Sequence, residues 1–323
     1  MYKTYFLFAL IHFVFANIHA QTLQILHSNF NGDSSLYHIA PISEGNFWIG
    51  GKNGILKSLN LTGFTNSIKN TNTSNILKIE KENTSVFMSA TNGYLHKYNL
   101  EDSSFTSKQY QGFEEMCIYD FLLLDNDSIL LCGGHNDIAA GEKNIPDGFI
   151  AMTDKNLTTL KIVWSCWRKF PWSICKNENQ EIFVSIFNGM NSHIQQFNIS
   201  SKKLSHVQTI KGLVHEISWL NNELWYAGSK NIRYNETGIM GKVLDKKICV
   251  QNDSIGCIWS MSVQKQNVLG VTQSGELVEF NPLNKVLSRL EIKQQIPFYM
   301  IQEISNSDYL ITGSGGLIYK LRY

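Results

Sequence analysis

The chain is short of charge, short of proline and lacks any sustained helical period. Only 17% of its 323 residues are Asp, Glu, Lys or Arg, and the formal net charge is +1. A typical globular protein carries about a quarter. That near-neutral balance removes the electrostatic footprint expected of a protein that grips DNA, RNA or an anionic membrane. Prolines number 5, and beyond residue 21 no apolar run approaches the ~18 residues that mark a transmembrane helix. Apolar residues do not recur at a 3.6-residue spacing over any long stretch, so helices should be nearly absent. No H-E-x-x-H, G-x-S-x-G or EF-hand pattern occurs, and no C-x-x-C spacing suggests zinc. Neither a cofactor nor a metal centre is therefore called, and enzyme activity is the lesser expectation.

What is present is apolar residue in quantity, 43%, together with 23 glycines and many Asn, Ser and Thr. The N-terminus reads as an export signal over residues 1–20. Lys3 supplies a positive start, Tyr5 to Ala16 an apolar stretch too short to span a bilayer, and Asn17-Ile18-His19-Ala20 a cleavage region before Gln21. The expectation is an exported chain, periplasmic or extracellular, whose mature part (21–323) is one domain without a transmembrane segment. Six cysteines remain, at 117, 132, 166, 175, 249 and 257. An exported chain permits disulfides, and Cys166/Cys175 and Cys249/Cys257 are near enough in sequence to pair, but buried thiols acting as small hydrophobes are the plainer expectation.

One pattern recurs seven times: an apolar run ending in a small residue. The copies are Phe47-Trp48-Ile49-Gly50, Val86-Phe87-Met88-Ser89, Leu130-Leu131-Cys132, Ile182-Phe183-Val184-Ser185, Leu224-Trp225-Tyr226-Ala227, Val268-Leu269-Gly270-Val271 and Leu310-Ile311-Thr312. Their last residues are spaced by 39, 43, 53, 42, 44 and 41. A mean of about 44 is the length of a four-stranded propeller blade. Polar turns such as Asp125-Asn126-Asp127 and Asn221-Asn222 precede the runs, and Gly turns such as Asn53-Gly54 and Asn92-Gly93 follow five of them. The last copy stops after its third strand at Leu317–Tyr323. The run Thr22-Leu23-Gln24-Ile25-Leu26-His27 is therefore expected to supply the outer strand of the seventh blade and close the ring. The fold expected is all-β, a seven-bladed propeller of four-stranded antiparallel blades.

The first copy, Phe47-Trp48-Ile49-Gly50-Gly51-Lys52-Asn53-Gly54-Ile55-Leu56, resembles the repeat of two-component-regulator propellers, and the architecture is similar to that of WD40 and quinoprotein-like propellers. The resemblance covers essentially the whole mature chain. It implies a blade and no particular activity.

Three features converge on one face, that of the loops between second and third strands and of the connections between blades. Two blades carry longer loops there: the third from Gly133 through His135 and Asp137 to Gly148, and the fifth from Gly228 through Lys230, Arg233 and Tyr234 to Gly238. The connection into the fourth blade, Trp164-Ser165-Cys166-Trp167-Arg168-Lys169-Phe170-Pro171-Trp172, holds three Trp and two cations; Trp and Arg are common anchors of binding surfaces, and Trp172 has inter-blade packing as its alternative. The innermost strands start on Tyr37, Ile76, Tyr119, Trp172, His215, Trp259 and Tyr299, placing these and the neighbouring His38, Asp120 and Glu216 around the channel rim. The function expected is a binding or scaffolding module for a protein, peptide or glycan, using the face of blades three to five. The alternatives are a metal-assisted hydrolase, lactonase or lyase at the channel, with His38, Asp120, His135, His215 or Glu216, and a structural subunit of a cell-envelope assembly.

Overall fold

The computed structural model describes residues 22–27, 34–61, 63–67, 73–135, 148–230, 237–244, 249–252, 255–283, 286–290, 296–305 and 307–322. They form seven four-stranded antiparallel sheets. The innermost strands are Leu36–Ser43, Ile76–Glu82, Met116–Leu123, Phe170–Lys176, Leu213–Leu220, Ile258–Gln264 and Phe298–Ser305. Each contacts its neighbour on both sides, and the last contacts the first, so the sheets are blades of one closed ring. Two short 3-10 turns, Lys52–Gly54 and Ser314–Gly316, are the helical segments among the described residues.

The seven apolar runs are the second strands, and burial explains why they read as runs rather than as alternations. Asn46–Gly51, Ser85–Ala90 and Asp308–Gly313 are buried at every position after the first. A second strand is covered on both faces by the flanking blades, so both faces are apolar. The outer strand Phe105–Gln109 is exposed at every position after the first, and Leu160–Cys166 has no buried position. The core accordingly lies between blades. Phe87 and Leu95 of the second blade pack with Ile118, Phe121, Leu131 and Phe149 of the third.

The ring closes as expected. Leu23 pairs with Leu321 and Ile25 with Tyr319, making Thr22–His27 the outer strand of the seventh blade. Leu36, Ile39 and Phe47 of the first blade pack against Leu310 and Ile318 of the seventh. The turn signals also take their expected conformations: Asn92 and Gly93 have φ of 59° and 68°, and Asp127 has 58°. Gly148 is required for another reason. A Cβ there would stand 1.9 Å from the carbonyl oxygen of Lys169, where the third strand meets the connection into the fourth blade.

Of the two readings of the cysteines, the structure favours thiols for the Cys166/Cys175 pair: neither forms a disulfide, and Cys117 and Cys132 are buried thiols as well. Cys166 ends the outer strand of the third blade, whereas Cys175 lies inside the innermost strand of the fourth. Burial pushes the Cys117 thiol up to about 12, so it is not a nucleophile at neutral pH.

One core residue is poorly matched to its surroundings. His96 is wholly buried between Tyr94 and Phe105, with ring centroids 5.7 and 5.4 Å away. Neither ring nitrogen has a hydrogen-bond partner. An enclosed, unpaired polar group costs ~1–3 kcal/mol. His96→Phe should therefore raise the unfolding free energy by about 1 kcal/mol in urea titrations; a loss of similar size would contradict this reading.

Candidate functional site

The innermost strands share a local irregularity that builds the channel. In every blade the register slips by one residue near the start of this strand: between Leu36 and His38, Ile76 and Lys78, Ile118 and Asp120, Pro171 and Ser173, Val214 and Glu216, Ile258 and Ser260, and Phe298 and Met300. A bulge of this kind re-aims the extra side chain. The extra residues are Tyr37, Leu77, Tyr119, Trp172, His215, Trp259 and Tyr299, and all seven are partly exposed.

The expectation that the innermost strands start on Tyr37, Ile76, Tyr119, Trp172, His215, Trp259 and Tyr299 is corrected: they start on Leu36, Ile76, Met116, Phe170, Leu213, Ile258 and Phe298, and six of the expected residues lie one to three positions further in, at the bulges. In the second blade the bulge residue is Leu77, the neighbour of the expected Ile76. The first blade has a second register slip between Pro41 and Ser43, which the second blade lacks. Counting back from Ser89 therefore lands one residue early. Ile76 is fully buried in the core.

The bulge residues form a collar of touching rings. Tyr119 stacks on Trp172 with centroids 4.4 Å apart. Trp172 meets His215 at 5.5 Å, His215 meets Trp259 at 4.1 Å, Trp259 meets Tyr299 at 6.0 Å, and Tyr299 meets Tyr37 at 5.2 Å. Leu77 occupies the remaining place. The hydroxyl of Tyr119 donates to the His135 carbonyl at 2.9 Å, and Tyr299 shares a 2.9 Å hydrogen bond with Ser314. His215 Nδ1 and Trp259 Nε1 are enclosed and have no partner. Burial holds the His215 pKa at about 3, so the imidazole is neutral.

The residues one step further along perform a different task. No strand lies on the channel side of an innermost strand, so some of its N–H groups need other acceptors. Side chains of the preceding blade provide them. Met300 Sδ accepts from Ile39 N–H at 3.1 Å, His38 Nδ1 from Ile79 at 3.3 Å, Asp120 Oδ2 from Ile174 at 2.9 Å, Ser173 Oγ from Ile217 at 3.2 Å and Glu216 Oε2 from Met261 at 2.7 Å. Lys78 can only donate. It bonds to the Phe121 carbonyl at 2.8 Å and to Asp120 Oδ1, and Asp120 Oδ1 itself accepts from Phe121 N–H at 2.8 Å.

The structure thus turns His38, Asp120 and Glu216 toward the backbone of the next blade rather than toward one another. Among the described residues, no three His, Cys, Asp or Glu come together to hold an ion. Burial and the nearby Lys78 ammonium hold the His38 pKa at about 3. Because its Nδ1 accepts, its proton sits on Nε2. Burial raises Glu216 to about 7. Burial opposes the charge of Lys78, but Asp120 and Glu80 outweigh it and hold the ammonium above its usual range.

The outer part of the same face holds the other expected residues. Trp167 is 41% exposed, and Arg168 and Lys169 are exposed beside it. Arg168 takes φ 54°, marking a tight turn between the outer strand of the third blade and the innermost strand of the fourth. His135 is buried at the end of a second strand, where its Nε2 lies 3.0 Å from Glu115 Oε2. Lys230 is half-buried, and its N–H donates to the Thr237 carbonyl at 2.8 Å. Asp137, Arg233 and Tyr234 lie outside the described residues. Met190 was not foreseen. It is 75% exposed on the turn between the second and third strands of the fourth blade. Its carbonyl accepts from Gly212 N–H at 3.1 Å, which ties that turn to the connection into the fifth blade. The Asn188-Gly189-Met190 sequence was the available signal, an apolar residue at a turn tip.

A closed ring of seven four-stranded blades, with a collar at one mouth and an irregular outer face, defines a seven-bladed β-propeller. Solved structures agree. Virginiamycin B lyase from Staphylococcus aureus, in a catalytically inactive form with quinupristin, aligns with a TM-score of 0.71 at 13% identity over 94% of this chain and 99% of that one. YCF48 bound to D1 peptide gives 0.67 at 10% identity over 94% and 95%. The extracellular domain of the putative one-component system BT4673 from B. thetaiotaomicron gives 0.67 at 14% identity, over 93% of this chain and 40% of that one. At such identities the likeness concerns the fold. No family model matches the sequence, and no curated protein matches it either.

Proposed function

We propose that this propeller is a non-enzymatic binding module that engages a protein or peptide through the face of blades three to five. The observation that carries the reading is the exposure of Trp167, 41%, and Met190, 75%, on two turns at one face of the fourth blade, the connection that enters it and the turn between its second and third strands. Exposed cations flank the Trp, and His193 lies near enough to Lys169 for that charge to help burial lower its pKa. Large apolar anchors ringed by cations suit a partner segment with an apolar side chain and an adjacent carboxylate. Rigid loop platforms of this kind are where scaffolds place recognition. YCF48, a propeller of the same architecture, is described as bound to a peptide. We further propose that the chain is exported, on the strength of Lys3 and the apolar stretch from Tyr5 to Ala16.

Affinity capture tests the reading. Wild type and Leu283→Ser, altered on a hairpin of the opposite face, should enrich the same partner. Trp167→Ala with Arg168→Ala should lose at least about tenfold of it, the effect of one hot spot. Equal recovery by all three proteins would count against the proposed face.

A further inference from the structure

We infer that the aromatic collar at the channel mouth is a separate site, and that it takes an uncharged flat ring bearing a hydrogen-bond acceptor such as a carbonyl. It uses none of the outer residues Trp167, Arg168 and Met190, so it stands independently of the proposed partner face.

Three observations define the ligand. The first is shape. Six rings follow one another around the mouth with centroid separations of 4.1 to 6.0 Å. Each is partly exposed, as is Leu77, so the six rings present a π surface that runs from the third blade round to the first, with an apolar side chain in the second. Flat rings gain most from such a surface, by offset stacking or edge-on contact.

The second is charge. No collar residue is charged. The row beneath it is satisfied internally: Lys78 is spent on Asp120 and Phe121, and Asp120 on Lys78, Ser173 and Ile174. A charged ligand would give up its hydration and find no counter-ion at the rim.

The third is unsatisfied polarity. The hydroxyls of Tyr119 and Tyr299 are occupied. Trp259 Nε1 and His215 Nδ1 are not, and their rings are adjacent at 4.1 Å. Neither atom reaches solvent in the resting collar. A ligand that wedges into the mouth and turns the indole supplies the acceptor that the donor lacks. An indole N–H can only donate, so the ligand must carry the acceptor. A saturated sugar ring lacks a π face to stack and brings several hydroxyl donors, for which the collar rings offer as acceptors only phenol oxygens and one imidazole nitrogen.

Saturation-transfer NMR at millimolar probe concentration tests this. Benzamide represents a free ring and N-acetyl-L-tyrosinamide a ring borne on peptide; N-acetyl-L-tyrosine supplies a charged analogue and methyl β-glucopyranoside a sugar. One or both neutral aromatic amides should receive saturation, and which of them does so identifies the source. The anion and the sugar should not. Trp259→Phe keeps a ring and removes the donor, and should weaken binding about fivefold, the loss of one hydrogen bond. Its urea midpoint is measured alongside, to show that the ring of blades is intact. Trp167→Ala should leave probe binding unchanged. Absence of saturation with both neutral amides, equal signal from the anion or the sugar, or an unchanged affinity in folded Trp259→Phe would overturn the assignment.

Discussion

Asp120→Ala is expected to lower the unfolding free energy by about 3 kcal/mol, the lower end of the cost of removing one partner of a buried ion pair, because both side chains keep some exposure. Asp120 joins three blades. It accepts from the Lys78 ammonium of the second blade, from its own neighbour Phe121 N–H, and from Ser173 Oγ and Ile174 N–H of the fourth. The Lys78 and Asp120 side chains are 21% and 13% exposed. Alanine leaves the ammonium enclosed without its carboxylate and strands a backbone N–H on the channel edge, where no further strand can take it. Asp120→Asn keeps an acceptor for Ile174 and should lose less. Combining it with Lys78→Met removes the unpaired charge, and should recover part of the loss. Urea unfolding of the four proteins measures each step. A loss under about 1 kcal/mol for Asp120→Ala would mean that these bonds do not hold the blades in place.

Acid should destabilise the protein well before its ordinary carboxylates titrate. Burial holds the His38 and His215 pKa values at about 3 and that of His96 at about 4. In an unfolded chain each imidazole titrates near 6.5. Between those values the unfolded state binds more protons than the folded one, so stability falls as the pH falls. The contribution is complete above pH ~6.5 and is lost progressively down to pH ~4 for His96 and pH ~3 for His38 and His215. Glu216 acts in the opposite sense. Its folded pKa of about 7 lies above the unfolded 4.5, so it gains stability over much of the same interval. Burial also raises the Glu80 and Glu303 carboxyls, which act in the same sense as Glu216. The three imidazoles, each lowered by more than two pK units at about 1.4 kcal/mol per unit, outweigh them and leave a net loss. Urea midpoints taken at about pH 7.5 and about pH 4.5 should differ markedly, and His96→Phe should narrow the gap. Identical midpoints would show that the three rings are not enclosed as described.

The blade count was legible because it rests on a local signal. A second strand is covered on both sides, so its apolar run survives in every copy, from Phe47-Trp48-Ile49 to Leu310-Ile311. Closure by Leu23 and Ile25 was legible because the final repeat lacked a strand and the N-terminal run offered one. The collar was legible to within one residue. The slip from Leu77 to Ile76 came from hairpin register, and register depends on bulges that spacing does not reveal. The bonds between blades were not legible. Asp120 and Ile174, or Glu216 and Met261, are tens of residues apart, and each side chain alone could equally face a ligand. The same holds for the cysteines, whose closeness in sequence says nothing of the different strands that carry them.

We place partner binding on one face of the ring. Site-specific photo-crosslinking tests it most directly, with a benzophenone side chain placed in turn at Trp167, Met190 and Leu283. Positions 167 and 190 should capture the same partner, and 283, exposed on the opposite face, should capture none. Adducts of equal yield from all three positions, or from 283 alone, would contradict it.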